Sequence, residues 1–220
     1  MSAAVVANET LITGTNIKQG WLYAFDLNTF EQTAKSSHML PEAITCMCVG
    51  DDPSTLIVGM NEAKIASVRA GRGFLEVLGS FSLAHSVKTF HSITKSTRGD
   101  YALGTTTGIC FVKWMPVEKR FDVVRQVPTS SQGPALTLLS NRQTLSLCEA
   151  GDDIFVTSDY NQAGYYVVNR ATKEVKKLED KIVDNRGCFD IAPLPNFHLT
   201  DFPFVLMKAR KGVILANVTT

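Results

Sequence analysis

The sequence of 220 residues contains no apolar run near the roughly 20 residues that a bilayer-spanning helix requires. Its opening residues, Met1 to Thr15, carry no basic segment and no long apolar stretch, so the expectation is a chain without a secretory leader, kept in the cytoplasm or nucleus. An excess of charge of either sign is also missing. The 22 Lys and Arg residues face 21 Asp and Glu residues, a net charge of +1. That balance argues against a nucleic-acid binder, whose binding face carries a basic excess. Cysteine is scarce and unpaired in pattern: Cys46, Cys48, Cys110, Cys148 and Cys188 are an odd set without repeated spacing, a poor disulfide framework. Cys46 and Cys48 are two residues apart and have no second pair to complete a four-ligand zinc site, so they read as buried core residues on one face of a strand. His38, His85, His91 and His198 show no metal-ligand spacing. A G-x-S-x-G nucleophile elbow is absent. Gly71-Arg72-Gly73 has neither the Lys-Ser/Thr pair nor the following helix of a phosphate loop. No cofactor or metal is expected.

What the sequence does contain is repetition. An apolar strand, a tight polar turn and a second apolar strand recur five times. The copies begin at Thr10-Leu11-Ile12-Thr13-Gly14, Thr55-Leu56-Ile57-Val58-Gly59, Tyr101-Ala102-Leu103-Gly104, Asp153-Ile154-Phe155-Val156-Thr157-Ser158 and Phe204-Val205-Leu206-Met207-Lys208. Gly14, Gly59 and Gly104 stand 45 residues apart; the equivalent position then falls at Ser158, 54 residues on, and at Lys208, 50 further. Strand-like stretches precede the later copies at Ile44 to Val49, Thr89 to Ile93, Thr144 to Cys148 and Cys188 to Ala192. More polar stretches follow at Thr29 to Ala34, Leu75 to Phe81, Phe121 to Val127 and Glu174 to Leu178. β-branched and aromatic residues dominate the apolar stretches, and no long window carries helical periodicity with caps. The unit is thus a four-stranded meander with a period of roughly 40–50 residues, the length of a propeller blade.

This pattern, with the Gly14-Thr15 and Gly104-Thr105 steps and the closing turns, resembles WD-repeat and WD-repeat-like β-propellers over nearly the whole chain. Citron-homology propellers are a looser likeness. The family's Trp-Asp and Gly-His dipeptides are missing: Trp21 starts a strand, Trp114 ends one, and Asp follows neither. The family's hydrogen-bond relay is therefore carried onto no residue here. The resemblance implies an all-β domain over residues 1–220 of about five four-stranded antiparallel blades, with repeats near 3–37, 43–82, 87–127, 135–179 and 187–220. The first repeat has only Ala3 to Ala7 as an inner strand, and the last stops after its third strand. Two arrangements follow: a small ring of five blades, or an open segment of a larger propeller completed by another chain or segment.

Such a fold implies a non-catalytic platform for protein interaction, a scaffold or assembly subunit. Basic residues in the expected loops, Lys18, Arg69, Arg72, Arg98, Lys208, Arg210 and Lys211, form a candidate surface for acidic or phosphorylated peptides if several share one face. The alternative is a glycosidase-like propeller enzyme with its site at the channel mouth. Its carboxylate candidates, Asp51-Asp52 and Asp152-Asp153, fall in turns, where Asp is favoured for backbone reasons alone. Lys173 to Lys181, with mixed charge, is expected to be an exposed edge strand.

Overall fold

The structure is a computed structural model, and it describes residues 3–83, 89–106, 108–124, 144–151, 153–159, 164–178, 191–193, 204–209 and 212–217. Every regular element among them is a β-strand. The first sheet is β1 (Ala3–Ala7), β2 (Thr10–Gly14), β3 (Leu22–Asp26) and β4 (Gln32–Lys35). The second is β5 (Ile44–Val49), β6 (Thr55–Met60), β7 (Lys64–Gly71) and β8 (Phe74–Ser82). The third is β9 (Phe90–Lys95), β10 (Tyr101–Thr105), β11 (Gly108–Met115) and β12 (Arg120–Val123). The fourth is β13 (Thr144–Gly151), β14 (Ile154–Asp159), β15 (Gly164–Asn169) and β16 (Val175–Lys177). The fifth, with three described strands, is β17 (Ile191–Pro193), β18 (Phe204–Ala209) and β19 (Gly212–Asn217). Each sheet is an antiparallel meander in chain order.

The repetition seen in the sequence is a repetition of register. Gly14 pairs with Leu22, Gly59 with Ile65, Gly104 with Ile109, Ser158 with Tyr165 and Lys208 with Val213, so the five positions hold one place in the five second strands. Opposite this place the first strand of the second, third and fourth sheets carries a bulge, at Ile44/Cys46, at Phe90/Ser92 and at Thr144/Ser146. The inserted residue bends the strand and increases its twist. Glycine at 59 answers a close approach: a Cβ there would stand 2.4 Å from Cys46 Sγ and 3.2 Å from Phe90 Cβ.

The hairpins between third and fourth strands share a second marker. Phe30, Gly73, Lys119 and Lys173 all have positive φ, of 56°, 84°, 51° and 65°. In two of these hairpins the turn is the same in its side chains. Asp26 Oδ1 accepts the amides of Asn28 and Thr29, and Thr29 Oγ1 accepts that of Glu31. Asn169 Oδ1 accepts the amides of Ala171 and Thr172, and Thr172 Oγ1 accepts that of Glu174. This Asx turn moves the first fourth strand later than the sequence suggests: Thr29 and Phe30 lie in the turn, and pairing begins at Gln32.

The core lies between sheets. β1 packs beside β5, β5 beside β9, β9 beside β13 and β13 beside β17, so the first strands form a continuous inner row. Ile12, Leu22 and Ala24 of the first sheet meet Leu56, Val58, Ala66 and Val68 of the second. Ile57 and Ile65, on the second sheet's other face, meet Tyr101, Leu103, Cys110 and Val112 of the third. Ala102, Ile109 and Phe111 meet Phe155, Tyr166 and Val168 of the fourth. Val156, Tyr165 and Val167 meet Ile191 of the fifth. Strands covered on both faces read as apolar runs rather than alternations, and β10, Tyr101-Ala102-Leu103-Gly104-Thr105, is buried at every position. Fully burying one Leu, Val or Phe contributes about 1.5–3 kcal/mol, so these junctions dominate the favourable side of folding. Among the described residues no strand pairing joins β1 to β17.

Candidate interaction surface

Meander topology sorts the loops onto two ends of the sheets. Hairpins between first and second strands, and between third and fourth, lie at one end, here the hairpin end. Hairpins between second and third strands lie at the other, with the crossings from sheet to sheet. The bridge Gly20↔Leu40 and the bridge Asn61↔Thr89 each join a second–third hairpin to a crossing, as this sorting requires.

The basic residues singled out in the sequence are divided by it. Arg69 and Arg72 stand in the β7–β8 hairpin and Arg98 in the β9–β10 hairpin, all at the hairpin end. Lys18 is exposed in the β2–β3 loop at the crossing end, where β18 also places Lys208. Arg210 and Lys211 lie outside the described residues. Two of the three hairpin-end arginines are engaged within the fold. Arg69 pairs with Glu76 across β7 and β8, with its guanidinium 6.0 Å from the Phe74 ring centroid. Arg98 pairs with Asp153 of the neighbouring sheet. Arg72 is exposed, and its charge adds to the turn amides of Thr29 and Asn28 that hold the Asp26 carboxyl below the usual range.

The hairpin end is tied together by polar contacts between sheets. Asn8 Nδ2 donates to the Pro53 carbonyl at 3.3 Å, joining first to second. The Asp51 amide donates to the Tyr101 hydroxyl at 3.1 Å and Lys95 pairs with Asp51 at 3.0 Å, joining second to third. Burial raises the Tyr101 phenol above its ordinary pKa, so it stays a neutral hydroxyl there. Third and fourth are joined most strongly. Thr97 donates its amide to Glu149 at 2.7 Å and its hydroxyl to the same carboxylate at 3.0 Å. Burial nevertheless raises the Glu149 carboxyl. Beneath it, Arg170 donates to Asp100 at 3.0 and 2.5 Å, with 2% and 6% of the two side chains exposed. The guanidinium also lies 3.8 Å from the Phe111 ring centroid. A bidentate fork of this kind is the strongest form of protein ion pair.

The candidate carboxylates take up structural contacts. Asp51 holds Lys95, Asp52 accepts the Ser54 amide at 2.9 Å within its own turn, and Asp153 holds Arg98; Asp152 lies outside the described residues. Cys46 and Cys48 both border the junction of second and third sheets, on one face of β5, as their spacing suggests. Burial pushes the Cys46 thiol up to about 12 and Cys48 further. Burial also lowers the pKa of His91, which occupies the bulge of β9. Among the described residues no three His, Cys, Asp or Glu side chains gather as a metal site.

The Arg170–Asp100 pair escaped the sequence reading because 70 residues separate its members. The Asx turn could have been found: Asp26-Leu27-Asn28-Thr29-Phe30-Glu31 and Asn169-Arg170-Ala171-Thr172-Lys173-Glu174 share an amide-accepting first residue, Thr at the fourth place and Glu at the sixth. No protein-family model and no curated protein matches the chain.

Proposed function

We propose that residues 1–220 form a WD-repeat-like β-propeller domain, or a segment of one, acting as a non-catalytic platform for other proteins in the cytoplasm or nucleus. The observation carrying this reading is the inner row: each sheet sets its first strand beside the first strand of the next, with apolar faces between successive sheets. Radial repetition of four-stranded sheets in this manner is the construction principle of propellers, which present loops at two ends for recognition. The step from that architecture to protein binding is an analogy of fold.

Of Arg69, Arg72 and Arg98 at the hairpin end, Arg72 is the one placed to favour acidic or phosphorylated peptides, since Arg69 and Arg98 are already matched by Glu76 and Asp153. The test is an array of acidic and phosphorylated peptides probed with the intact chain, its Arg72→Glu variant and its Lys18→Glu variant. Peptide binding that is lost with one variant and kept with the other assigns the platform to one end. Binding that neither variant changes refutes both ends as peptide sites.

A further inference from the structure

Three junctions between sheets follow one rule among the described residues, and the first sheet breaks it. Registers place Leu11, Thr13, Tyr23 and Phe25 where the second sheet has Leu56, Val58, Ala66 and Val68, because Leu11 pairs with Phe25 and Thr13 with Tyr23 just as Leu56 pairs with Val68 and Val58 with Ala66. The third sheet puts Tyr101, Leu103, Cys110 and Val112 there, and the fourth Phe155, Thr157, Tyr166 and Val168. All twelve of these later residues are at most 4% exposed. Each quartet is covered by the facing side of the preceding sheet. The first quartet is only half-buried, and its row continues on β1 through Val6, 54% exposed. Trp21, next to β3, lies beneath Lys35 Nζ at 3.6 Å on the same side. At the far end of the row of sheets, Leu215 of β19 is 47% exposed.

We propose that this open face of the first sheet seats a four-stranded antiparallel sheet supplied by a partner polypeptide, whose other side seats on the fifth sheet at Leu215. The inference rests on the propeller reading above. What covers the equivalent quartet three times within the chain is a sheet with an apolar face, so the chemistry of the occupant is set by continuity. The face measures about 300 Å², from four strands about 4.8 Å apart and five residues of about 3.4 Å each. That is well short of the roughly 800 Å² per partner of a stable interface, so one face alone does not hold a second copy. Spanning both end faces doubles it to about 600 Å², the lower end of the standard range. Propellers typically have four to eight blades, so five sheets leave room for one to three more, whereas a second copy would bring five. Closure within the chain would require every junction to tighten together. The junctions are close-packed and pinned by Asn8–Pro53, Asp51–Tyr101 and Arg170–Asp100, and packed interfaces are not continuously deformable.

The test places a photo-crosslinking benzophenone side chain at Val6, at Leu215 or, as control, at Val117, which is 88% exposed in a hairpin turn. The full chain is expressed in the cells that naturally make it, and adducts are mapped by mass spectrometry. The expected result is adducts from Val6 and Leu215 to strand segments of one other polypeptide, with none from Val117. Phe25→Glu should lower the Leu215 adduct yield at least about tenfold, one decade in affinity. Adducts from Val6 to β17–β19 of the same chain, adducts to a second copy, or yields no higher than at Val117 would each overturn the proposal. Hydrogen exchange at Leu56, Val68, Tyr101 and Val112 separates the two readings. Slow exchange there with no Val6 adduct removes only the docked sheet; fast exchange removes the propeller reading as well.

Discussion

Replacing Asp100 with Ala should cost the fold about 3–5 kcal/mol, the usual effect of stripping one partner from a buried ion pair. The size follows from the surroundings of Arg170. Its guanidinium is 3% exposed as a residue, gives two hydrogen bonds to Asp100, lies over Phe111, and has Ser96 Oγ at 3.5 Å as its other polar neighbour. Without the carboxylate, a buried cation keeps a ring face and one long hydroxyl contact. Cation–π attraction at a desolvated site is worth about 2 kcal/mol and does not replace the pair. Arg170→Met should cost a similar amount, because it leaves the buried Asp100 carboxylate without its partner. The double variant Arg170→Met with Asp100→Leu should recover much of the loss, since apolar replacement of a whole buried pair is often neutral. Urea unfolding of the parent protein, Asp100→Leu, Arg170→Met and their double variant gives the coupling energy directly. A loss under about 1 kcal/mol for Asp100→Ala, or a coupling energy within about 0.5 kcal/mol of zero, would refute the view that this pair joins the third and fourth sheets.

Three further outcomes are expected. Phe30, Lys119 and Lys173 hold left-handed backbone in hairpin turns, a conformation costing about 1–2 kcal/mol for an L-residue. Glycine at each should raise the melting temperature or leave it unchanged, whereas glycine at exposed, regularly paired Ala4 should lower it by the equivalent of about 0.5–1 kcal/mol. Gly59→Ala should destabilise by about 1–3 kcal/mol in urea unfolding, because the new methyl group meets Cys46 Sγ and Phe90 Cβ. Asp26 is held below its ordinary pKa, so its contribution is complete above the unfolded-state value near 3.8 and is lost as pH falls through the lower folded-state value. Asp26→Asn should match the parent protein at acid pH, where Asp26 is protonated, be less stable than it near neutral pH by the lost charge contribution, and remove that acid-side loss from the pH profile of unfolding.

The strands were legible because their signals are local. Ile44 to Val49 and Tyr101 to Thr105 have the same limits in sequence and structure, since β-branched and aromatic residues between polar turns leave few other readings. The spacing of Gly14, Gly59 and Gly104 carried through to a shared register; close approach leaves no room for a side chain at Gly59, as the Cys46 contact makes plain, whereas Ser158 and Lys208 hold the same place in the fourth and fifth sheets. Thr29 and Phe30 were read as strand because the Asx turn overrides the β preference of their side chains. The surface was far less legible. Single basic residues reveal neither the end of the sheet they occupy nor the carboxylate they meet. Arg98 and Asp153 are 55 residues apart, and only the stacking of two sheets brings them together. Residues 179–181 of the expected edge strand, 188–190 of the expected inner strand and 125–127 of the expected outer stretch lie outside the described residues.

The inner row of first strands also fixes how the molecule comes apart. Sheets in a row behave as a chain of nearest neighbours, in which each unit is stabilised by itself and by the junctions on either side. The second, third and fourth sheets each own two junctions, while the first and fifth own one. Opening an end therefore breaks one junction and opening the middle breaks two, so fluctuations should run inward from the ends as a zipper does. The Arg170–Asp100 pair lies at the third of the four junctions, where it would halt fraying that starts at the fifth sheet. Anything that clasps the two terminal sheets would convert a row with free ends into a loop without them, and local opening at any point would then cost two junctions.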